Sequence, residues 1–149
     1  MKKIKCFLIG LILLSSKGFA QTGGTQNGYI EWNVGLAYLI HGNAFPGTSV
    51  LIGTRLDFTN NLLLDVEAGV ALPGYGTGKL GIGSYIDKEN KSAFFVGIRP
   101  WPMHGYLQIN LPETKIGQCI ISGELGNGSE TSLYSMAILN FGYRWKLKR

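Results

Sequence analysis

His41 and His104, with Ser129, Ser132 and Glu130, are the residues of this 149-residue chain whose types could activate a hydroxyl. A histidine takes the serine proton as general base and an acidic partner orients the ring, provided all three come within hydrogen-bond reach. The spacing does not enforce that contact. The five residues fall in three separate connecting stretches rich in Gly, Asn, Pro and Ser, where solvated loop histidines are the simpler expectation. Two histidines and two cysteines at wide spacing form no metal-ligand pattern, so neither a metal nor another cofactor is expected.

A second candidate is Gly76-Thr77-Gly78-Lys79-Leu80-Gly81, which matches the dinucleotide glycine pattern literally. It precedes a strand pattern rather than a helix, so the helix N-terminus that would receive a phosphate is missing. It is not a P-loop either, because Pro73 stands at the first glycine position and Leu80 replaces the Ser or Thr. The stretch is expected to be a flexible hairpin connection. Cys119, in the apolar stretch Cys119, Ile120, Ile121, is expected to be a small buried hydrophobe rather than a reactive thiol.

The elements that would position these residues begin after an export signal. Lys2, Lys3 and Lys5 precede an apolar run over residues 6 to 14, and Gly18 and Ala20 place small side chains three and one before a cut. Residues 1 to 20 are therefore expected to leave, and the mature domain covers residues 21 to 149. The whole chain carries 14 basic and 9 acidic residues, but the signal holds four of the basic ones. The mature chain is thus almost neutral, and no basic stripe suggests nucleic acid as a partner. Cys6 leaves with the signal, so Cys119 has no internal disulfide partner.

From residue 21 onward, period-two alternation bounded by Gly, Pro, Asn and Asp clusters recurs with no sustained helical period. It predicts an all-β fold, an eight-stranded up-and-down antiparallel transmembrane barrel. The expected strands run over residues 29 to 40, 48 to 58, 62 to 72, 79 to 87, 93 to 101, 105 to 111, 116 to 125 and 133 to 147. Pro46, Pro73, Pro100, Pro102 and Pro112 fall at strand ends or in connections. One face of the strands is aliphatic and aromatic, as with Ile30, Trp32, Val34 and Leu36. The other mixes charge with glycine, as with Glu31, Gly35, Gly53, Arg55, Gly69 and Gly97.

Alternation alone does not say which face points outward. Lysines are kept off the strands, and glycine shares the polar face with the charges, as the crowded inside of an eight-stranded barrel requires. Aromatics such as Trp32, Phe94, Trp145 and Tyr38 gather toward strand ends, as at a membrane interface. The polar face is therefore expected inside. There Glu31, Arg55, Asp57, Asp65, Glu67 and Arg144 would lie toward the end holding the termini, and Arg99 and Glu124 toward the other. Unpaired ions in so narrow a space are costly, so the arginines are expected in carboxylate networks and the lumen is expected to be plugged. Five acids against three arginines leave one carboxyl to meet water or hold a proton.

The last strand resembles the C-terminal assembly signal of bacterial outer-membrane barrels: a polar residue, glycine two later, a hydrophobic three further on and another after two more. Here these are Asn140, Gly142, Trp145 and Leu147. With its export signal and eight meandering strands, the chain is similar in architecture to small barrels of the outer membrane protein A and X type. That resemblance implies a bacterial outer-membrane location and a monomer. It also implies contact with outer-membrane lipids and with the barrel-assembly machinery, and a structural, envelope-integrity or surface-interaction role without catalysis. Two alternatives use the same strands. One is a soluble periplasmic barrel that turns its apolar face inward around a small apolar ligand. The other is a lipid A-modifying barrel enzyme using His41 or His104, although the His-containing strand motif of those enzymes is absent.

Overall fold

Strands rich in Val, Ile, Leu and aromatic residues, alternating with small or polar ones, form wherever a neighbour can satisfy their backbone groups. In the computed structural model, which describes residues 25–39, 42–58, 61–72, 75–101, 103–126 and 135–147, this happens without leaving an edge. The expected export signal and His41 lie outside the described residues, as do Ser129, Glu130 and Ser132.

The strands are β1 (Thr25–Tyr38), β2 (Ala44–Asp57), β3 (Leu62–Leu72), β4 (Tyr75–Asp87), β5 (Ser92–Pro100), β6 (Met103–Asn110), β7 (Gly117–Gly126) and β8 (Ala137–Lys146). Each pairs antiparallel with the next, and β8 pairs with β1 from Tyr29 opposite Lys146 to Tyr38 opposite Ala137, closing the barrel. The structure is therefore an all-β, eight-stranded, up-and-down barrel, as the alternation predicts.

Several boundaries differ from the sequence expectation: β1 begins at Thr25, four residues before the expected start. β2 begins at Ala44 and includes Pro46, which was expected in a connection. Pro46 lies opposite Leu36 of β1, while the pairing of β2 with β3 starts only at Thr48. Among the described residues nothing on the β3 side pairs with Pro46, so its missing N–H interrupts no ladder there. β4 begins at Tyr75 instead of residue 79, because Ala71 already pairs with Tyr75. The glycine stretch is thus a regular strand and not a flexible hairpin. β8 begins at Ala137, four residues later than expected.

The two faces separate sharply. Ile30, Trp32, Val34, Leu36 and Tyr38 of β1 are all exposed, whereas Tyr29, Glu31 and Asn33 are buried. β6 repeats the pattern without a break, with His104, Tyr106, Gln108 and Asn110 inside and Met103, Leu107 and Ile109 outside. Among the described residues, every charged side chain within a strand is on the inner face or, like Asp87 and Lys146, at a strand's last position. Cys119, expected to be buried, is exposed on the outside. Its neighbours Gln118 and Ile120 are the inward ones, at 4% and 1% exposure.

Inside, large and small residues alternate around the wall. Gly53 faces the Tyr29 ring, where an added Cβ would stand 2.6 Å from the ring's Cζ. Gly81 and Gly97 both face Tyr106, and Gly83 faces Phe95. Four glycines thus make room for three aromatic rings, which an eight-stranded lumen could not otherwise hold. Leu63, Ala93, Phe95 and Tyr106 form a small apolar cluster within this largely polar interior.

Candidate functional site in the barrel interior

The closure of β8 on β1 sets Arg144 opposite Glu31. Arg144 donates to Glu31 Oε2 from Nε at 3.0 Å and from Nη2 at 2.7 Å. Its remaining reach goes across the lumen to β3, from Nη1 to Asp65 Oδ2 at 2.8 Å and from Nη2 to Glu67 Oε1 at 2.6 Å. The guanidinium carbon lies 3.6 Å from the Tyr29 ring centroid, and the Tyr29 hydroxyl reaches both Asp65 Oδ1 and Glu67 Oε1. Charge-assisted bonds of this kind are the strong ones, and here they tie β1, β3 and β8 together.

Arg55 of β2 extends the network toward the end holding the termini. Its Nη2 is 3.7 Å from Asp65 Oδ2, and its guanidinium lies 4.8 Å from the centre of the Phe95 ring. Asp57 accepts the Tyr85 hydroxyl at 2.9 Å. Toward the other end, Arg99 Nη2 meets Glu124 Oε1 at 2.6 Å, and Asn140 donates to the same oxygen at 2.9 Å. All eight charged residues singled out in the sequence therefore face the lumen, in two groups.

What joins the groups is Lys79, which sequence reasoning placed at the start of the fourth strand and counted among the lysines kept off the strand faces. Its side chain is fully buried, with Nζ 3.6 Å from Glu31 Oε1 and 3.9 Å from Glu124 Oε1. The ammonium also stands 5.5 Å from the Tyr106 ring centre. The signal was present in the sequence: Lys79 has the parity of Gly81 and Gly83, which puts it on the polar face of the strand. With Lys79 counted, the interior holds four cations and five acids rather than three and five.

His104 also differs from expectation, since it lies on the inner face of β6 and not in a loop. Its Nε2 is 2.8 Å from the Ser135 carbonyl oxygen and 3.3 Å from the Ser135 hydroxyl. A carbonyl only accepts, so Nε2 carries a proton and cannot take the one on Ser135. The pair fastens the segment before β8 to β6 and does not make a nucleophile with its base.

At the end holding the termini, a cavity of about 200 Å³ opens between the network and the 111–116 connection. Arg55, Tyr85 and Arg144 line it below, with Lys91, Glu113 and Lys146 above. In the last strand Asn140 is buried and Trp145 exposed, while Gly142 faces the Asn33 amide. Leu147 lies just past β8, exposed, and donates its N–H to the Gly28 carbonyl at 3.0 Å.

No family model matches the chain, and no curated protein matches it. Among solved structures, one described as "De novo design of transmembrane beta-barrels" is similar at 11% identity and a TM-score of 0.48, over 85% of this chain and 98% of that one.

Proposed function

We propose that this chain is a small outer-membrane barrel of the outer membrane protein A and X type, with a structural, envelope-integrity or surface-interaction role and a lumen closed to solutes. The observation that carries the reading is the inversion of its faces. Among the described residues thirty large hydrophobic side chains are exposed and eight hydrophobic residues are buried, while the charges turn inward. A soluble monomer seldom exposes a contiguous apolar patch beyond several hundred Å². A bilayer removes that difficulty, because hydrocarbon is the preferred neighbour of such a belt.

The same inversion disfavours a soluble barrel around an apolar ligand, whose interior would have to be the apolar side. The His104 geometry gives no support to a lipid-modifying enzyme, and the reading is non-enzymatic. Asn140 and Gly142 on the inside and Trp145 on the outside suit recognition of the last strand by a barrel-assembly machinery. Lipids of the outer membrane are the expected neighbours and a monomer is the expected state.

Carbonate extraction of membranes, paired with a mobility shift on heating in detergent, tests this reading. The chain should stay with the membrane and migrate differently before and after boiling. Release by carbonate without detergent would refute it.

A further inference from the structure

The segment between β6 and β7 folds toward the turn between β4 and β5, where the Glu113 N–H donates to the Asn90 carbonyl at 2.8 Å. This brings the Glu113 carboxylate between two cations from different parts of the wall. Oε1 is 2.6 Å from Lys146 Nζ at the end of β8, and Oε2 is 3.3 Å from Lys91 Nζ before β5. Both lysines are about half exposed, at 45% and 53% of the side chain, and the carboxylate is 18% exposed.

Below this bridge lies the cavity of about 200 Å³, with Arg55 in its wall. Arg55 is nine-tenths buried, and its ion pair to Asp65 is long at 3.7 Å. Its Nε and Nη2 have no hydrogen-bond partner. The other acid nearby, Asp57, receives the Tyr85 hydroxyl, and Arg144 is occupied by Glu31, Asp65 and Glu67. Among its lining residues, Arg144 aside, the cavity thus offers three cations to one acid, Glu113, and that acid is held by ion pairs exposed enough to be weak. At roughly 30 Å³ per water, it has room for one compact anion with part of its hydration shell.

From this geometry we propose that the terminus-side mouth of the barrel binds a compact oxyanion of the phosphate class, with Glu113 as a built-in competitor occupying the lysines until the anion displaces it. Arg55 and the two lysines are the recognising groups. A phosphate suits them because each of its oxygens can accept a charge-assisted bond. The anion could come from solution or from the phosphodiester of an anionic lipid at the rim, since both present the same chemistry. The site requires only that this mouth meet water, so it stands or falls separately from the placement of the barrel in a membrane.

The test is calorimetric titration of the full chain, folded in neutral detergent, with inorganic phosphate. Saturable binding is expected, about tenfold tighter in Glu113→Gln and about tenfold weaker in the Lys91→Gln, Lys146→Gln double variant, which are the changes expected for gain or loss of charge-assisted contacts. All three substitutions are at the solvent-accessible rim, and the heating mobility shift checks that each variant folds. Phosphatidylglycerol in the micelle should compete with phosphate if the lipid is the source and leave the titration unchanged if the free anion is. No saturable heat in either the parent or Glu113→Gln, or an affinity indifferent to the two lysines, would overturn the proposal.

Discussion

Arg144 on the last strand and Glu31 on the first share a two-pronged bond, Nε and Nη2 both donating to Oε2 at 3.0 and 2.7 Å across 113 residues of sequence. The bond spans the seam where the barrel closes, and the same guanidinium also holds Asp65 and Glu67. Arg144→Met removes the cation from three buried carboxylates at once. A loss of about 3–5 kcal/mol is expected, the usual cost of leaving a buried charge without its partner. Urea unfolding of the barrel in lipid vesicles checks it, and a midpoint equal to the parent's would contradict the role given to Arg144.

The Tyr29 hydroxyl stands 2.9 Å from Glu67 Oε1 and also contacts Asp65 Oδ1. One hydroxyl carries one proton and donates to one carboxylate at a time, so Tyr29 satisfies Asp65 and Glu67 only by turns. Of the two, Glu67 is the less engaged, since its Oε2 has no partner whereas both Asp65 oxygens are bonded. Glu67→Gln, which keeps one oxygen for Arg144 and Tyr29, should therefore shift stability by less than about 1 kcal/mol, well below the effect of Glu31→Gln, which removes a charge held by two bonds from Arg144 and by Lys79. Comparison of the two unfolding midpoints decides it.

At Gly53 the constraint is steric. An added Cβ would stand 2.6 Å from both the Cζ and the hydroxyl of Tyr29, and the ring is pinned there by Arg144 above and two carboxyls beyond. Gly53→Ala should destabilise by about 1–3 kcal/mol, the range for overpacking. Adding Tyr29→Leu should make the alanine less harmful than it is alone, which a double-mutant cycle measures.

The lumen proposed to be closed to solutes is crossed by four cations and five acids, with Lys79 between Glu31 and Glu124. In a planar bilayer the folded barrel should therefore give no large, steady conductance. A stable open level of porin size would refute the closed lumen.

The period-two pattern made the eight strands and their polar inner face legible, because in a strand the sequence parity is the face. Where the reading failed, parity was ignored in favour of composition. Gly76, Gly78 and Gly81 made residues 76 to 81 look like a turn, yet Gly81 is there to clear the Tyr106 hydroxyl, and Lys79 beside it faces the lumen. Cys119 was judged by its apolar neighbours, but successive strand residues point opposite ways, so a buried Ile120 implies an outward Cys119. The contact of Arg144 with Asp65, 79 residues away, follows only once the barrel has closed.

The outward Cys119 also gives the sharpest test of what surrounds the barrel. It is the cysteine of the described residues, and it sits in the apolar belt on β7, opposite Tyr143 of β8. If that belt faces hydrocarbon, a charged maleimide should label Cys119 slowly in intact vesicles, because a charged reagent does not enter an apolar medium. An uncharged, lipid-soluble maleimide should reach it more readily, and unfolding in denaturant should bring the charged reagent to full labelling. Rapid labelling by the charged reagent in vesicles of folded protein would place this face in water and overturn the membrane reading.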